Sequence, residues 1–379
     1  MSQQAQIDDT DLVQLLTPTG QRVDHPDYTP RIAHLDAAAL RGMYRDMVMT
    51  RRFDSEATAL QRQGELGLWA QSLGQEGAQV GSGRAAAPRD MIFPAYREHG
   101  VAFTRGLELT KILRQFRGID HGGWDPKDHN FHLYTLVVGS HTLHATGYAM
   151  GLQRDGVVGT GDPDRDTATM VYFGDGATSQ GDTSEALVFA AVNNAPVVFF
   201  CQNNQWAISE PTSRQSRVPL YHRGSGFGIP SLRVDGNDVL ACYAVTSEAL
   251  ERARSGGGPT FIEAYTYRMG AHTTSDDPTR YRSAAEEQYW RDRDPIERLR
   301  VLLVAEGAAD DAWFAELDAE AAAYGEHIRS TVRAFERPAT MSMFSDVYAG
   351  PHAIVDDERA WFEAYQRTFA DTSATTGVH

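Results

Sequence analysis

The sequence has 379 residues, 41% hydrophobic and 23% charged, room for one large domain or two to three ordinary ones at roughly 150 residues each. A formal charge of −16 repels phosphate backbones and anionic lipid, so neither nucleic acid nor a membrane surface is an expected partner. Two cysteines, Cys201 and Cys242, exclude a disulfide framework and a cysteine-based zinc site, and fit a reducing compartment.

The N-terminus, MSQQAQIDDTDLVQ, has no basic or apolar targeting region, so the expected location is cytoplasmic. Residues 1–35 are polar, carry three prolines and lack sustained periodicity. They read as an N-terminal arm, either a disordered tail or a strap laid over a partner. From Asp36, a suitable N-cap, Leu40, Met43, Tyr44, Met47 and Val48 follow the spacing of one buried helix face. Helical patterns recur near 75–87, 107–117, 142–153, 182–194 and 238–254. Between them lie β-rich runs at Thr135–Val138, Thr169–Phe173, Pro196–Cys201, Leu232–Val234 and Thr260–Tyr267. The alternation predicts an α/β fold, a parallel sheet flanked by helices. Continuous apolar runs such as VVFFC suit a sheet covered on both faces. GGG at 256–258 reads as a turn after a helix. After Ala284 the chain reads as helix almost to its end, so 36–379 is taken as one α/β domain with a helical C-terminal extension. The longest apolar run, about Ala195–Cys201, is far short of the roughly 20 residues that span a bilayer.

The most informative stretch is VYFGDGATSQGDTSEALVFAAVNNAPVVFFCQNNQWAIS, residues 171–209. It reads strand, GDG turn, helix, strand, NN turn. Both turns leave the carboxyl ends of strands, where ligands bind in parallel sheets. Gly174 and Gly176 permit close backbone approach, Asp175 is a hard carboxylate, and the next helix offers free N–H groups to an anion. A dinucleotide fingerprint fails here, because Ser179 stands where the third glycine belongs and no acid follows at the required distance. The P-loop pattern fails for want of its lysine. The spacing of Asp175 and Asn204, one strand–helix–strand excursion, does fit a magnesium-diphosphate site. Mg²⁺ prefers six oxygens and usually shares its shell with phosphates.

GDG followed by NN resembles the thiamine-diphosphate motif. With YREHG (96–100), GDGATSQGD (174–182), NNQWAIS (203–209), RVDGNDV (233–239), HTTSDDPTRYRS (272–283) and MFSDVYA (343–349), the chain resembles the alpha chain of the decarboxylating component of 2-oxoacid dehydrogenase complexes from about residue 36 to about 350. The branched-chain type is favoured and the pyruvate type is close.

The resemblance implies Asp175, Asn204 and the Trp206 carbonyl as Mg²⁺ ligands. It implies diphosphate contacts from Tyr96, Arg97 and the N–H groups of Gly176 and Ala177. His272 is implied beside the cofactor, hydrogen-bonding the diphosphate and moving a proton during acyl transfer. Val138 would support the bent cofactor, and Leu136 would offer backbone groups to its aminopyrimidine. His141 stands where glutamine is usual, which argues against a monovalent-cation site on this loop. His99 also departs from the family pattern, and both histidines are further candidates for substrate contact. Thr273 is taken as a loop residue that orders on cofactor binding, Leu68 and Trp69 as part of the substrate wall, and the cysteines as core. The acid that activates the aminopyrimidine comes from a beta chain in two-chain relatives. The resemblance therefore implies an alpha2beta2 heterotetramer, inactive as alpha alone, that passes its acyl group to a lipoylated acyltransferase. An acetoin-cleaving enzyme shares this architecture, and a scaffold without cofactor is the non-enzymatic rival.

Overall fold

The structure is a computed structural model that describes residues 11–373. Among the described residues eight strands are formed: β1 Leu12–Val13, β2 Met91–Phe93, β3 Thr169–Gly174, β4 Val197–Asn203, β5 Trp206–Ala207, β6 Glu210–Pro211, β7 Ser231–Asp235 and β8 Thr260–Tyr265. Six of them make one sheet in the order β1-β7-β8-β4-β3-β2, parallel at every pairing. β5 and β6 form a separate antiparallel hairpin. Every residue of β4 is buried, and so is all of β3 except Gly174. That is the burial a sheet covered on both faces imposes. The register sets Gly174 opposite Gln202 and Asn203 opposite Tyr265, so the GDG and NN turns emerge side by side at the carboxyl end of the sheet.

The helices are, in chain order, α1 Thr29–Ile32, α2 Ala37–Arg62, α3 Glu76–Ala85, α4 His99–Thr104, α5 Thr110–Phe116, α6 Pro126–His129, α7 Ser140–Arg154 and α8 Gly181–Asn193. They continue with α9 Thr212–Gln215, α10 His222–Gly226, α11 Val239–Arg254, α12 Ala284–Arg291, α13 Pro295–Ala305, α14 Asp311–Arg333 and α15 Ala353–Ser373. Their starts follow the capping chemistry of the sequence. Asp36 accepts from the Ala39 N–H, Asp238 from Leu240 and Ala241, Ser283 from Glu286, and Asp294 from Ile296 and Glu297. No helix among the described residues is long and apolar enough to cross a membrane.

Two features differ from the sequence reading. Thr135–Val138 is not a strand; it is a loop leading into α7, with Leu136, Val137 and Val138 exposed. A short β-branched run has the composition of a buried strand, but here it meets no sheet partner. The described part of the N-terminal segment lies on its own chain. β1 pairs with β7, Leu15 and Leu16 are buried, and their N–H groups donate to the Asp238 carboxylate.

Two compact units divide the chain at Arg333. The first holds the sheet and α1–α14. The second contains a 3-10 turn at Thr340–Phe344 and α15, tied internally by Arg359 donating to the Phe344 carbonyl at 3.1 Å and by the Phe344 and Phe362 rings.

Candidate functional site

A cavity of about 450 Å³ opens at the carboxyl ends of β3 and β4. Its walls bring together Tyr96, Arg97, Leu136, Val138, Gly174, Asp175, Gly176, Ala177, Asn204, Trp206 and His272. Leu68 and Thr273 also reach it.

The GDG turn is a 3-10 turn from Asp175 to Ser179 that leads into α8. Thr178 donates to the Asp175 carbonyl at 2.7 Å and Thr183 to the Ala177 carbonyl at 2.8 Å, which fixes the turn. A Cβ on Gly176 would sit 2.9 Å from that of Ala207, so the two turns approach too closely for any other residue. The Asp175 side chain is only 2% exposed, and burial pushes its carboxyl up to about 6. Gln215 Nε2 donates to its Oδ2 at 2.9 Å and the Thr212 hydroxyl approaches the same oxygen at 3.4 Å. No cation lies within ion-pair distance of it among the described residues.

Asn204 is oriented by donating from Nδ2 to Gln75 Oε1 at 3.1 Å, while its Oδ1 accepts from the Trp206 N–H at 3.3 Å. The Trp206 carbonyl accepts from Arg268 Nη1 at 2.9 Å. A carbonyl has two lone pairs, so one remains.

Arg97, 6% exposed, donates to the backbone carbonyls of Gln71 and His272. Arg268, fully buried, donates to the Trp206 and Ile208 carbonyls and the Tyr281 hydroxyl. Neither guanidinium has a carboxylate partner within ion-pair distance among the described residues, although Glu98 adjoins Arg97 in sequence. Glu98 instead accepts from Gln202 Nε2 at 2.7 Å and from the Arg97 N–H. Buried cations and a buried carboxylate are costly when left uncompensated. A divalent cation bound to an anion would neutralise both.

Both guanidiniums approach Nδ1 of His272, Arg97 Nη2 at 3.4 Å and Arg268 Nη1 at 3.5 Å. Two donors on Nδ1 require its lone pair there, so the ring proton sits on Nε2. Burial, then Arg97, then Arg268, hold the imidazole down at about 4. At neutral pH His272 is therefore a neutral Nε2–H donor. Its loop is fixed by the chain itself. The His272 N–H donates to Asp276 at 2.8 Å and the Thr274 N–H to the Trp69 carbonyl at 3.0 Å.

His99 does not reach the cavity. It is fully buried and stacks on Trp69 at 4.5 Å. Its Nε2 donates to the Ala70 carbonyl at 2.9 Å and its Nδ1 accepts from the Tyr134 hydroxyl at 2.8 Å. Trp69 is likewise interior, so Leu68 and Ala70 supply the wall expected of Leu68 and Trp69. His141 does border the cavity, yet its side chain is buried and Nε2 donates to the Tyr172 carbonyl at 2.6 Å. Cys201 and Cys242 are buried core. Phe116, Ile208, Gln202 and Gln180 also line the cavity and were not singled out from sequence. Gln180 and Ile208 lie within quoted motifs but were given no role, while Phe116 and Gln202 lie in none and reach the strand ends only in the folded chain.

A parallel α/β domain with a cavity at the carboxyl ends of its strands has the layout of a ligand-binding α/β protein. The family described as Dehydrogenase E1 component matches residues 44–338. The chain is 46% identical over 338 residues to 3-methyl-2-oxobutanoate dehydrogenase subunit alpha of Mycobacterium tuberculosis, covering 88% of this chain and 87% of that one. It is 39% identical over 320 residues to the mitochondrial 2-oxoisovalerate dehydrogenase subunit alpha 2 of Arabidopsis thaliana, covering 82% and 66% respectively. It is 41% identical over 277 residues to the pyruvate dehydrogenase E1 component subunit alpha of Acholeplasma laidlawii, covering 72% and 77%. The chain belongs to the dehydrogenase E1 component family.

Proposed function

We propose that this chain is the alpha subunit of a branched-chain 2-oxoacid dehydrogenase, using thiamine diphosphate anchored through Mg²⁺ and acting on 2-oxoacids such as 3-methyl-2-oxobutanoate. The observation that carries the reading is the cavity itself, which gathers Asp175, Asn204, Trp206 and Arg97 at the carboxyl end of the sheet, with Asp175 and Arg97 buried and without an ion-pair partner among the described residues. Among the described residues no cluster of three or more His, Cys, Asp or Glu could hold a metal. A mixed oxygen set of Asp175, Asn204 and the Trp206 carbonyl suits Mg²⁺, which takes the rest of its shell from phosphate and water.

In this reading Tyr96, Arg97, His272 and the N–H groups of Gly176 and Ala177 bind the diphosphate. Val138 supports the bent form of the cofactor, with Leu136 beside it. Thiamine diphosphate, when bound, supplies the nucleophilic carbon and electron sink that decarboxylation of a 2-oxoacid requires. His272 donates a hydrogen bond from Nε2 to the diphosphate and is the residue that would move a proton during acyl transfer. The apolar wall of Leu68, Phe116 and Ile208 suits an aliphatic side chain.

The second carboxyl on the cavity, Glu98, has both oxygens engaged by Gln202 and the Arg97 N–H. In this reading the acid that activates the aminopyrimidine comes from a beta subunit. The acyl group then leaves for a lipoylated acyltransferase.

The test is calorimetry on the reconstituted alpha–beta pair. Asp175→Ala should abolish Mg²⁺-dependent uptake of thiamine diphosphate, and undiminished uptake overturns the proposal. Turnover of 3-methyl-2-oxobutanoate against pyruvate by the same pair decides the substrate.

A further inference from the structure

The NN segment does more than supply Asn204 and Trp206. After Trp206 the chain turns back through the β5–β6 hairpin and forms the single turn α9 against the GDG turn. That return brings Thr212 and Gln215 to Asp175. Gln215 Nε2 donates to Oδ2 at 2.9 Å, and the Thr212 hydroxyl reaches the same oxygen at 3.4 Å and Asn203 Oδ1 at 3.1 Å. Both donors use Oδ2, so neither occupies Oδ1.

Gln215 is itself held. Its carbonyl accepts from Arg223 Nη2 at 3.3 Å, and Nη1 of the same arginine donates to the Thr178 carbonyl at 2.8 Å. Arg223 thus ties α9 to the GDG turn from outside the cavity. Carboxylates that ligate metals are commonly aimed by a hydrogen bond to their other oxygen, and losing such a partner typically costs 10–100-fold in metal affinity.

We propose that Gln215 is the positioning residue for the cation-binding carboxylate: by holding Oδ2 it presents Oδ1 of Asp175 to the divalent ion. The inference rests on the reading of Asp175 as a Mg²⁺ ligand. Thr212 supports the same oxygen over a longer distance and contributes less.

The test uses the reconstituted alpha–beta pair, titrating Mg²⁺ by calorimetry at saturating thiamine diphosphate. Gln215→Leu removes the donor and leaves an apolar side chain one atom shorter. It should weaken Mg²⁺ binding about 10–100-fold while leaving the melting temperature of the metal-free pair unchanged. Raising Mg²⁺ should restore wild-type affinity for thiamine diphosphate, a recovery that a general packing defect would not allow. Gln215→Met should behave alike, and Thr212→Val should lose less. Mg²⁺ affinity indistinguishable from wild type in Gln215→Leu and Gln215→Met, with Asp175→Ala still defective, overturns the positioning role alone. A loss that added Mg²⁺ does not recover also overturns it. Wild-type uptake by Asp175→Ala overturns this inference together with the functional reading beneath it.

Discussion

Glu98 and His99 are adjacent, fully buried, and pushed in opposite directions by the same cause. Burial raises the Glu98 carboxyl to about 7 and lowers the His99 imidazole to about 3. A raised carboxyl contributes stability below its unfolded value, near 4.5, and loses it as pH rises through 7. A lowered imidazole has no cost above its unfolded value, near 6.5, and destabilises progressively below it. Isosteric Glu98→Gln should therefore gain on wild type by about 3 kcal/mol between pH 4.5 and 7. His99→Gln should gain by about 2 kcal/mol as pH falls from 6.5 to 5. Urea denaturation of wild type and both variants across this range checks the signs, and parallel profiles would refute the assignment. The sequence showed that YREHG belongs to the site, but not that its histidine turns away. Only the stack on Trp69 and the bond from Tyr134 reveal that. Gln215 was invisible for a similar reason: a glutamine in a polar turn has no signature until the hairpin returns it to Asp175.

At the scale of elements, the buried strands and capped helices were legible because their periodicity and caps are local. Thr169–Gly174, Val197–Asn203 and Asp238 before Val239–Arg254 are examples. β1, β2 and the β5–β6 hairpin were not, since two or three residues carry no period and depend on partners distant in sequence. The helix pair α3–α11 shows what packing adds. A Cβ on Gly81 would fall 2.4 Å from the Val239 carbonyl and 2.8 Å from the Cys242 Cβ. Gly81→Ala should force the helices apart and cost about 1–3 kcal/mol. The same helix carries Gln79, which donates to the Arg97 carbonyl and Gln202, so the shift reaches the cavity wall. Gly151 in α7 offers the contrast, because a Cβ there meets nothing within 4 Å. Gly151→Ala should stabilise the isolated chain by about 0.5–1 kcal/mol through helix propensity alone. Thermal melts of the two variants should move in opposite directions.

At the scale of the molecule, the exposed apolar side chains form a pattern. Leu136, Val137 and Val138 are exposed at the edge of the cavity, and Tyr148 of α7 and Val188, Phe189 and Val192 of α8 present further apolar surface, with Val192 80% exposed. α7 and α8 pack on one another, so their outward residues belong to one two-helix layer. On a chain of net charge −16, an apolar face of this kind marks a contact surface. The beta subunit proposed above is its expected occupant. Phe189→Asp should leave the melting temperature of the alpha chain alone within a few degrees, since its ring contributes little to the core of the free chain. In the complex it would bury an unpaired charge, which should weaken assembly by about 2 kcal/mol or more. Sedimentation of the mixed chains reads this directly, and 2-oxoacid decarboxylation should fall in step with the fraction assembled. Unchanged assembly would place the partner on a different face, and decarboxylation by the alpha chain alone would mean that the activating acid lies within this sequence.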